Sequence, residues 1–204
     1  MIKNPYPGKF IVFEGLDGSG LSTQAELLKD YLLKKGHQVF LTKEPFLKLV
    51  TGRKIERILN KEEKIAPGKL QKLYIQNRRE HLKKDVIPRL KKGEIVISDR
   101  YFLSTLAYGR TTGLSEKELI KLNEGFLIPN ITFLLKALPE TCIKRIKKRG
   151  IKMTLFEKKE KLRNVWIFYE DSVKKFEDIK IINAEKSVSQ VFNSIKKILS
   201  QLGF

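Results

Sequence analysis

Residues Gly15 to Thr23 read Gly-Leu-Asp-Gly-Ser-Gly-Leu-Ser-Thr. Their types and spacing suit one task, the holding of a polyphosphate. Small residues let backbone N–H groups wrap phosphate oxygens, and Gly18 and Gly20 relax the chain further. The pattern is that of the phosphate-binding loop G-x-x-x-x-G-K-[ST]. Gly15, Gly20 and Ser22 fit it, and Leu21 stands at the lysine position. Leu16, Asp17 and Ser19 fill the loop. The Ser22 hydroxyl suits a Mg²⁺ ion, and Thr23 lies beside it where a helix begins.

Further along, Asp99-Arg100 follows the apolar run Glu94-Ile-Val-Ile-Ser98 directly. An acid there can hold Mg²⁺, directly or through water, and an arginine beside it can clamp a transferring phosphoryl group. Tyr74 and Arg78 are four apart in a helical pattern and so share a face, where a ring and a guanidinium suit a base and its phosphate. Packing in the core is the competing reading of Tyr74. Ser104-Thr105-Leu106-Ala107-Tyr108 could contact a small nucleotide or simply pack a helix. Arg145, Lys148, Arg149 and Lys152 border Gly150 and would form a cationic lid over a cleft, or a solvated basic helix end. His37 and His81 stand alone in lysine-rich segments and read as surface residues; no metal-ligand spacing occurs.

The elements that must position these residues alternate. Short apolar strands are expected at Phe10–Glu14, Gln38–Thr42, Glu94–Ser98, Ile131–Leu135 and Lys180–Ile182, with helices between them. Gly68–Leu90 reads as one long helix bent at its last turn by Pro88. Ser115 and Glu118 form a capping box at a helix start. Strands separated by helices imply an α/β fold, a five-stranded parallel sheet flanked by helices. Ligands in such sheets lie beyond the carboxyl ends of the strands. Glu14-Gly15, Glu44-Pro45 and Asp99-Arg100 therefore converge on one cleft.

A chain of 204 residues with 41% apolar content reads as one globular domain, 1–204. No apolar run approaches the roughly 20 residues of a membrane span, and the chain reads as cytoplasmic. The single cysteine, Cys142, is a small packing residue in a helical pattern. A net charge of +19 is large, but the lysines are spread over many helices rather than gathered on one arm, so solvated helix faces and phosphate steering are preferred to a nucleic-acid surface.

These blocks together resemble the thymidylate kinase family, over nearly the whole chain. Phe13-Glu14-Gly15 through Gln24 is similar to the family's opening Phe-Glu-Gly-x-Asp-Gly-x-Gly-Lys-Ser-Thr-Gln. Thr42-Lys43-Glu44-Pro45 resembles its Thr-Arg-Glu-Pro, Asn77-Arg78 its helix arginine, and Asp99-Arg100-Tyr101 its Asp-Arg-Tyr/His. Ser104 to Tyr108 resembles its Ser-Thr-x-Ala-Tyr, and Lys148-Arg149-Gly150 with Phe156-Glu157 the borders of its lid, about 148–157. The resemblance implies the three-layer P-loop NTPase fold and transfer of the ATP γ-phosphate to dTMP with Mg²⁺, in a homodimer. It implies Asp17 and Arg100 at the acceptor phosphate and reacting groups. It places Tyr74 on thymine, Arg78 at the base edge, Ser104, Thr105 and Tyr108 around the pocket, and Arg149 against adenine. Asp99 and Ser22 would hold the metal.

Three residues depart from the pattern. The loop lysine is Leu21, the lid arginine is Leu155, and Lys136 replaces an aspartate after the fourth strand. The first two remove cations from the donor phosphates, and each such loss costs roughly 2.7–4 kcal/mol of transition-state stabilisation. Lys43, Arg53 or Lys152 could supply another charge. The leading reading is a dTMP kinase. The alternatives are a kinase for another nucleoside monophosphate, a nucleotide-binding pseudokinase, and a basic nucleic-acid-binding protein.

Overall fold

The computed structural model describes residues 1–148, 159–176 and 178–202. Its centre is a parallel sheet. Strand β2 (Phe10–Gly15) and strand β4 (Ile95–Asp99) are buried at every residue. Their sequences, Phe-Ile-Val-Phe-Glu-Gly and Ile-Val-Ile-Ser-Asp, are nearly unbroken apolar runs, as strands covered on both faces require. A two-residue strand β1 (Ile2–Lys3) precedes them and pairs with β5 (Leu127–Ile128) in a separate small ribbon. With β3 (Val39–Lys43), β6 (Ile131–Lys136) and β7 (Ile179–Asn183), the main sheet runs in the order β3-β4-β2-β6-β7, every pair parallel. The five strands expected from the sequence are the five found. The β1–β5 ribbon is too short to leave a periodic signal.

The crossovers are helical, as parallel pairing demands. Helix α1 (Leu21–Lys34) packs on β2, β3 and β4, burying Leu21, Ala25, Leu28 and Leu32. Helices α2 (Val50–Leu59) and α3 (Pro67–His81) pack on each other beside the sheet. The single long helix expected over Gly68–Leu90 is instead three pieces: α3, a π-helical turn over Leu82–Val86, and α4 (Ile87–Lys91). Pro88 is the cause. It cannot donate to the carbonyl four residues back and its ring collides with that carbonyl, so the ladder widens ahead of it.

Helix α5 (Phe102–Arg110) leaves β4 after two residues and is buried along most of its length. Helix α6 (Glu116–Leu122) opens with the Ser115–Glu118 capping box. Helices α7 (Pro139–Lys148), α8 (Lys159–Val173) and α9 (Val188–Gln201) follow, with α8 packed on α5 and α9 on α1. Strand register sets the working edge of the molecule. Phe13 and Lys43 both pair with Asp99, and Gly15 pairs with Leu135, so the strand ends lie level.

Candidate active site

The loop from β2 to α1 is shaped by its glycines. Gly18 has φ +88, and a Cβ there would lie 2.5 Å from the Cys142 carbonyl oxygen, so the loop rests directly on the backbone of α7. Gly20 caps α1 at φ 103 and offers no side-chain acceptor, and the first turn of α1 holds no acid. The leading N–H groups of α1 thus lack any capping side chain, which suits an anionic ligand. Leu21 is 6% exposed and belongs to the core, while still lining the cavity over the loop. Its side chain contributes packing where an ammonium would contribute charge.

At the end of β4, Asp99 is buried and Ser22 donates to its Oδ2 at 2.5 Å. Lys43 Nζ donates to the same oxygen at 2.9 Å. Among the described residues the other oxygen, Oδ1, has no partner. Arg100 follows at φ 76, the left-handed region that a side chain rarely occupies. Such a conformation costs about 1–3 kcal/mol and persists where the surroundings fix it. They do so here: the Arg100 N–H donates to the Phe13 carbonyl and its carbonyl accepts from Ser98 Oγ.

The Arg100 guanidinium reaches back over the loop. Nη2 lies 2.7 Å from Asp17 Oδ1, and Nη1 donates to the Gly15 carbonyl and to Ser104 Oγ. Burial alone would lower its pKa; the oxygens of Tyr108 and Asp17 more than reverse this, so it stays charged. Tyr108 OH donates to Asp17 Oδ2 at 3.0 Å and also accepts from the Asp17 N–H. Beneath them Glu14 is fully buried. It accepts from the Tyr101 N–H, the Ser104 N–H and hydroxyl, and Tyr169 OH. Burial pushes the Glu14 carboxyl up, against the pull of Arg100 and these donors.

A second cavity continues from Arg100 toward α3, and Tyr74, Arg78, Ser104, Thr105 and Tyr108 all line it. Burial raises the Tyr74 phenol pKa, so its ring is neutral. Arg78 is more enclosed than a free recognition group: 1% exposed, it donates to Glu44 Oε2 and Asn123 Oδ1, both at 2.7 Å. Asn77, beside it, holds both backbone polar groups of Phe46 and the Thr51 hydroxyl. His81 is a correction. Expected on the surface, it is 1% exposed, bonded to Thr42 Oγ1 and Glu44 Oε1 and stacked on Phe46. It lies at the end of α3 that meets β3, and only the fold brings Glu44 to it. His37 is exposed, as expected.

Several site residues carry little sequence signal. Gln71 lines the second cavity, 1% exposed, with neither amide atom bonded among the described residues; the Thr105 hydroxyl is likewise unpartnered. A Cβ on Gly109, one turn beyond Thr105, would stand 3.3 Å from Gln71 Cδ, so the two helices meet at this amide. Tyr169 arrives from α8 with no motif around it. Glu14, expected at the cleft as a strand-end charge, is instead fully buried beneath it as an acceptor for Tyr101, Ser104 and Tyr169.

Of the expected lid cations, Arg149 and Lys152 lie outside the described residues, as does Leu155. Arg145 turns away to donate to the Ala184 carbonyl. Lys136 pairs with Glu170 and lies over the Trp166 ring. Among the described residues no group of three His, Cys, Asp or Glu side chains could hold a metal, and no helix is long and apolar enough to cross a membrane.

The cavity over the phosphate loop thus shares Asp17, Lys43 and Arg100 with the second, side-chain-lined cavity. The thymidylate kinase family model matches residues 13–195. A probable thymidylate kinase of Pyrococcus horikoshii is 39% identical over 194 residues, 92% of this chain and 94% of that protein. One of Thermococcus kodakarensis is 39% identical over 204 residues, 95% and 98% of the two chains. The thymidylate kinase of Desulfotalea psychrophila is 36% identical over 197 residues, 96% of each. With the family model matching residues 13–195 and the likeness running over more than nine-tenths of each chain, this protein belongs to the thymidylate kinase family.

Proposed function

We propose that the protein transfers the γ-phosphoryl group of ATP to the 5′-phosphate of dTMP, giving ADP and dTDP. The observation that carries this reading is the junction of the two cavities. Asp17, Lys43 and Arg100 line both the cavity over the phosphate loop and the one toward Tyr74. Donor phosphates on Gly15–Thr23 and an acceptor nucleotide beside Tyr74 would therefore meet at Arg100.

In this reading the loop N–H groups and the start of α1 bind the donor phosphates. Arg100, held by Asp17, Gly15 and Ser104, presents a fixed charge to the acceptor phosphate and the transferring group. Tyr74 stacks on the base, while Ser104, Thr105 and Tyr108 shape the pocket and Arg78 fixes its floor. The unpartnered Asp99 oxygen and the Ser22 hydroxyl are hard oxygen donors that fit Mg²⁺ and would hold it; when bound it neutralises phosphate charge. Arg149 against adenine, a lid over 148–157 and a homodimer belong to the same proposal and rest on the family resemblance; a single domain spanning 1–204, which rests on length and composition, and a cytoplasmic location complete it. Nucleic acid has no part in it.

The test is a coupled assay of pure protein with Mg-ATP against dTMP, dUMP, UMP, CMP and AMP. Turnover fastest with dTMP is the expected result. ATP binding without turnover of any acceptor would leave a nucleotide-binding protein and end the kinase reading. Preference for another monophosphate would move the substrate assignment alone.

A further inference from the structure

Leu21 deprives the loop of an ammonium, and another ammonium stands close by. Lys43 ends β3 in register with Asp99. Its Nζ lies 2.9 Å from Asp99 Oδ2 and 3.4 Å from Ser22 Oγ. Of the three described residues that line both cavities, two are cations, Arg100 and Lys43. The Arg100 fork is engaged by Asp17, Gly15 and Ser104. The Lys43 side chain is 59% exposed, and among the described residues its polar partners are Asp99 and Ser22 at the cavity wall. Arg53, the other described candidate, donates to the Lys48 carbonyl and lines neither cavity.

We propose that Lys43 is the catalytic cation that position 21 lacks, its ammonium leaving Asp99 for the oxygens of the transferring γ-phosphoryl group. This rests on the kinase reading above. An oxygen of the acceptor phosphate forms the new bond to the γ-phosphorus. The bond from that phosphorus to the β–γ bridging oxygen breaks, and its electron pair stays on ADP. Lys43 remains protonated throughout and exchanges no proton. It is a compact charge with three rotatable donors on a flexible stem. Its place at the end of β3, between donor and acceptor, lets it follow the phosphoryl group as it moves.

The experiment compares the parent with Lys43→Ala, Lys43→Arg and Lys43→Cys. Burial pushes the Cys142 thiol up to about 12 and its side chain is fully buried, so alkylation of the Lys43→Cys variant with 2-bromoethylamine is selective. The thiolate displaces bromide, and a side chain of near-lysine length with a terminal ammonium results. For Lys43→Ala, kcat falls about 10²-fold, while KM for dTMP moves by less than about threefold. Lys43→Arg retains part of the rate, and alkylation of Lys43→Cys recovers at least about tenfold of the loss. The proposal is overturned if kcat of Lys43→Ala stays within about threefold of the parent, or if the loss is confined to KM for dTMP. A second readout needs no turnover. The affinity for an adenosine–thymidine pentaphosphate, which in the kinase reading would bridge both cavities, is expected to drop at least about tenfold in Lys43→Ala; equal affinity overturns the proposal. A parent without turnover defeats the kinase reading and this proposal with it, whereas an active parent whose kcat and pentaphosphate affinity survive Lys43→Ala defeats this proposal alone.

Discussion

Arg100 Nη2 stands 2.7 Å from Asp17 Oδ1, an ion pair that ties the end of β4 to the phosphate loop. Both groups are partly shielded, at 13% and 28% side-chain exposure, so the pair is neither a screened surface contact nor a sealed one. Its value lies in holding a guanidinium in one orientation before any ligand arrives. Arg100→Lys keeps the charge but loses the fork, and kcat is expected to fall by about 10²–10³. Asp17→Asn removes the charge that holds Nη2, leaving Nη1 on Gly15 and Ser104, and is expected to lower kcat as well. The double variant is expected to lose less than the product of the two, because both changes remove one arrangement. Steady-state kinetics on the four proteins of this cycle check it, and strict additivity would refute the coupling.

Gln71 gives a prediction with two opposite signs. Among the described residues neither of its buried amide atoms has a partner, which costs the free protein stability, whereas a bound base edge would satisfy them. Gln71→Leu is expected to raise stability by about 1–3 kcal/mol and to raise KM for the monophosphate. Thermal melts and kinetics on one preparation measure both. Loss of stability without change in KM would show that the amide serves packing alone.

Arg78, Glu44, His81 and Asn123 form a buried polar cluster under the second cavity. Removing Arg78 takes from the buried Glu44 the guanidinium that donates to its Oε2, so Arg78→Met is expected to cost about 3–5 kcal/mol of folding stability. Arg78→Met with Glu44→Gln is expected to recover part of that loss. Denaturant titration of the single and double variants decides whether the destabilisation arises from the stranded carboxylate.

Burial raises the Glu14 carboxyl in the folded protein. A folded-state pKa above the unfolded one means that the native state holds the proton longer. Stability contributed by the protonated form is then present below the ordinary glutamate value of about 4.3 and is lost as pH rises from there to the raised value. The slope across that window reaches at most about 1.4 kcal/mol per pH unit for one proton. Glu14→Gln is expected to flatten this fall. Denaturant melts of both proteins from the ordinary value upward measure it, and parallel curves would remove Glu14 as the cause.

Much of the site was legible in the chain because its geometry is local. A strand, a glycine turn and a helix start are contiguous, so Phe10 to Thr23 specifies its own conformation. The Asp99-Arg100 step is likewise a strand end whose apolar run is plain. Glu14 and Glu44 were visible as charges beside apolar strands, but not as hubs, since their partners come from α3, α5 and α8. His81 misled for the same reason: its neighbours in sequence are charged, while those in space are Thr42, Glu44 and Phe46. Gln71 has no local pattern, for an amide on a helix face reads as solvent-facing until another helix covers it. The π turn before Pro88 shows the reverse case, where a residue type announced a disturbance but not its form.

The contact between Gly18 and the Cys142 carbonyl limits how the chain can vary over generations. A methyl group at position 18 would collide with an atom that every amino acid carries, 2.5 Å away. No replacement at position 142 can remove that oxygen. A lineage that acquired alanine at 18 could find no compensating change in its nearest neighbour, and relief would have to come from moving all of α7. In a genetic screen, second-site suppressors of such an allele would be expected among the residues that seat α7, and absent at the position it strikes.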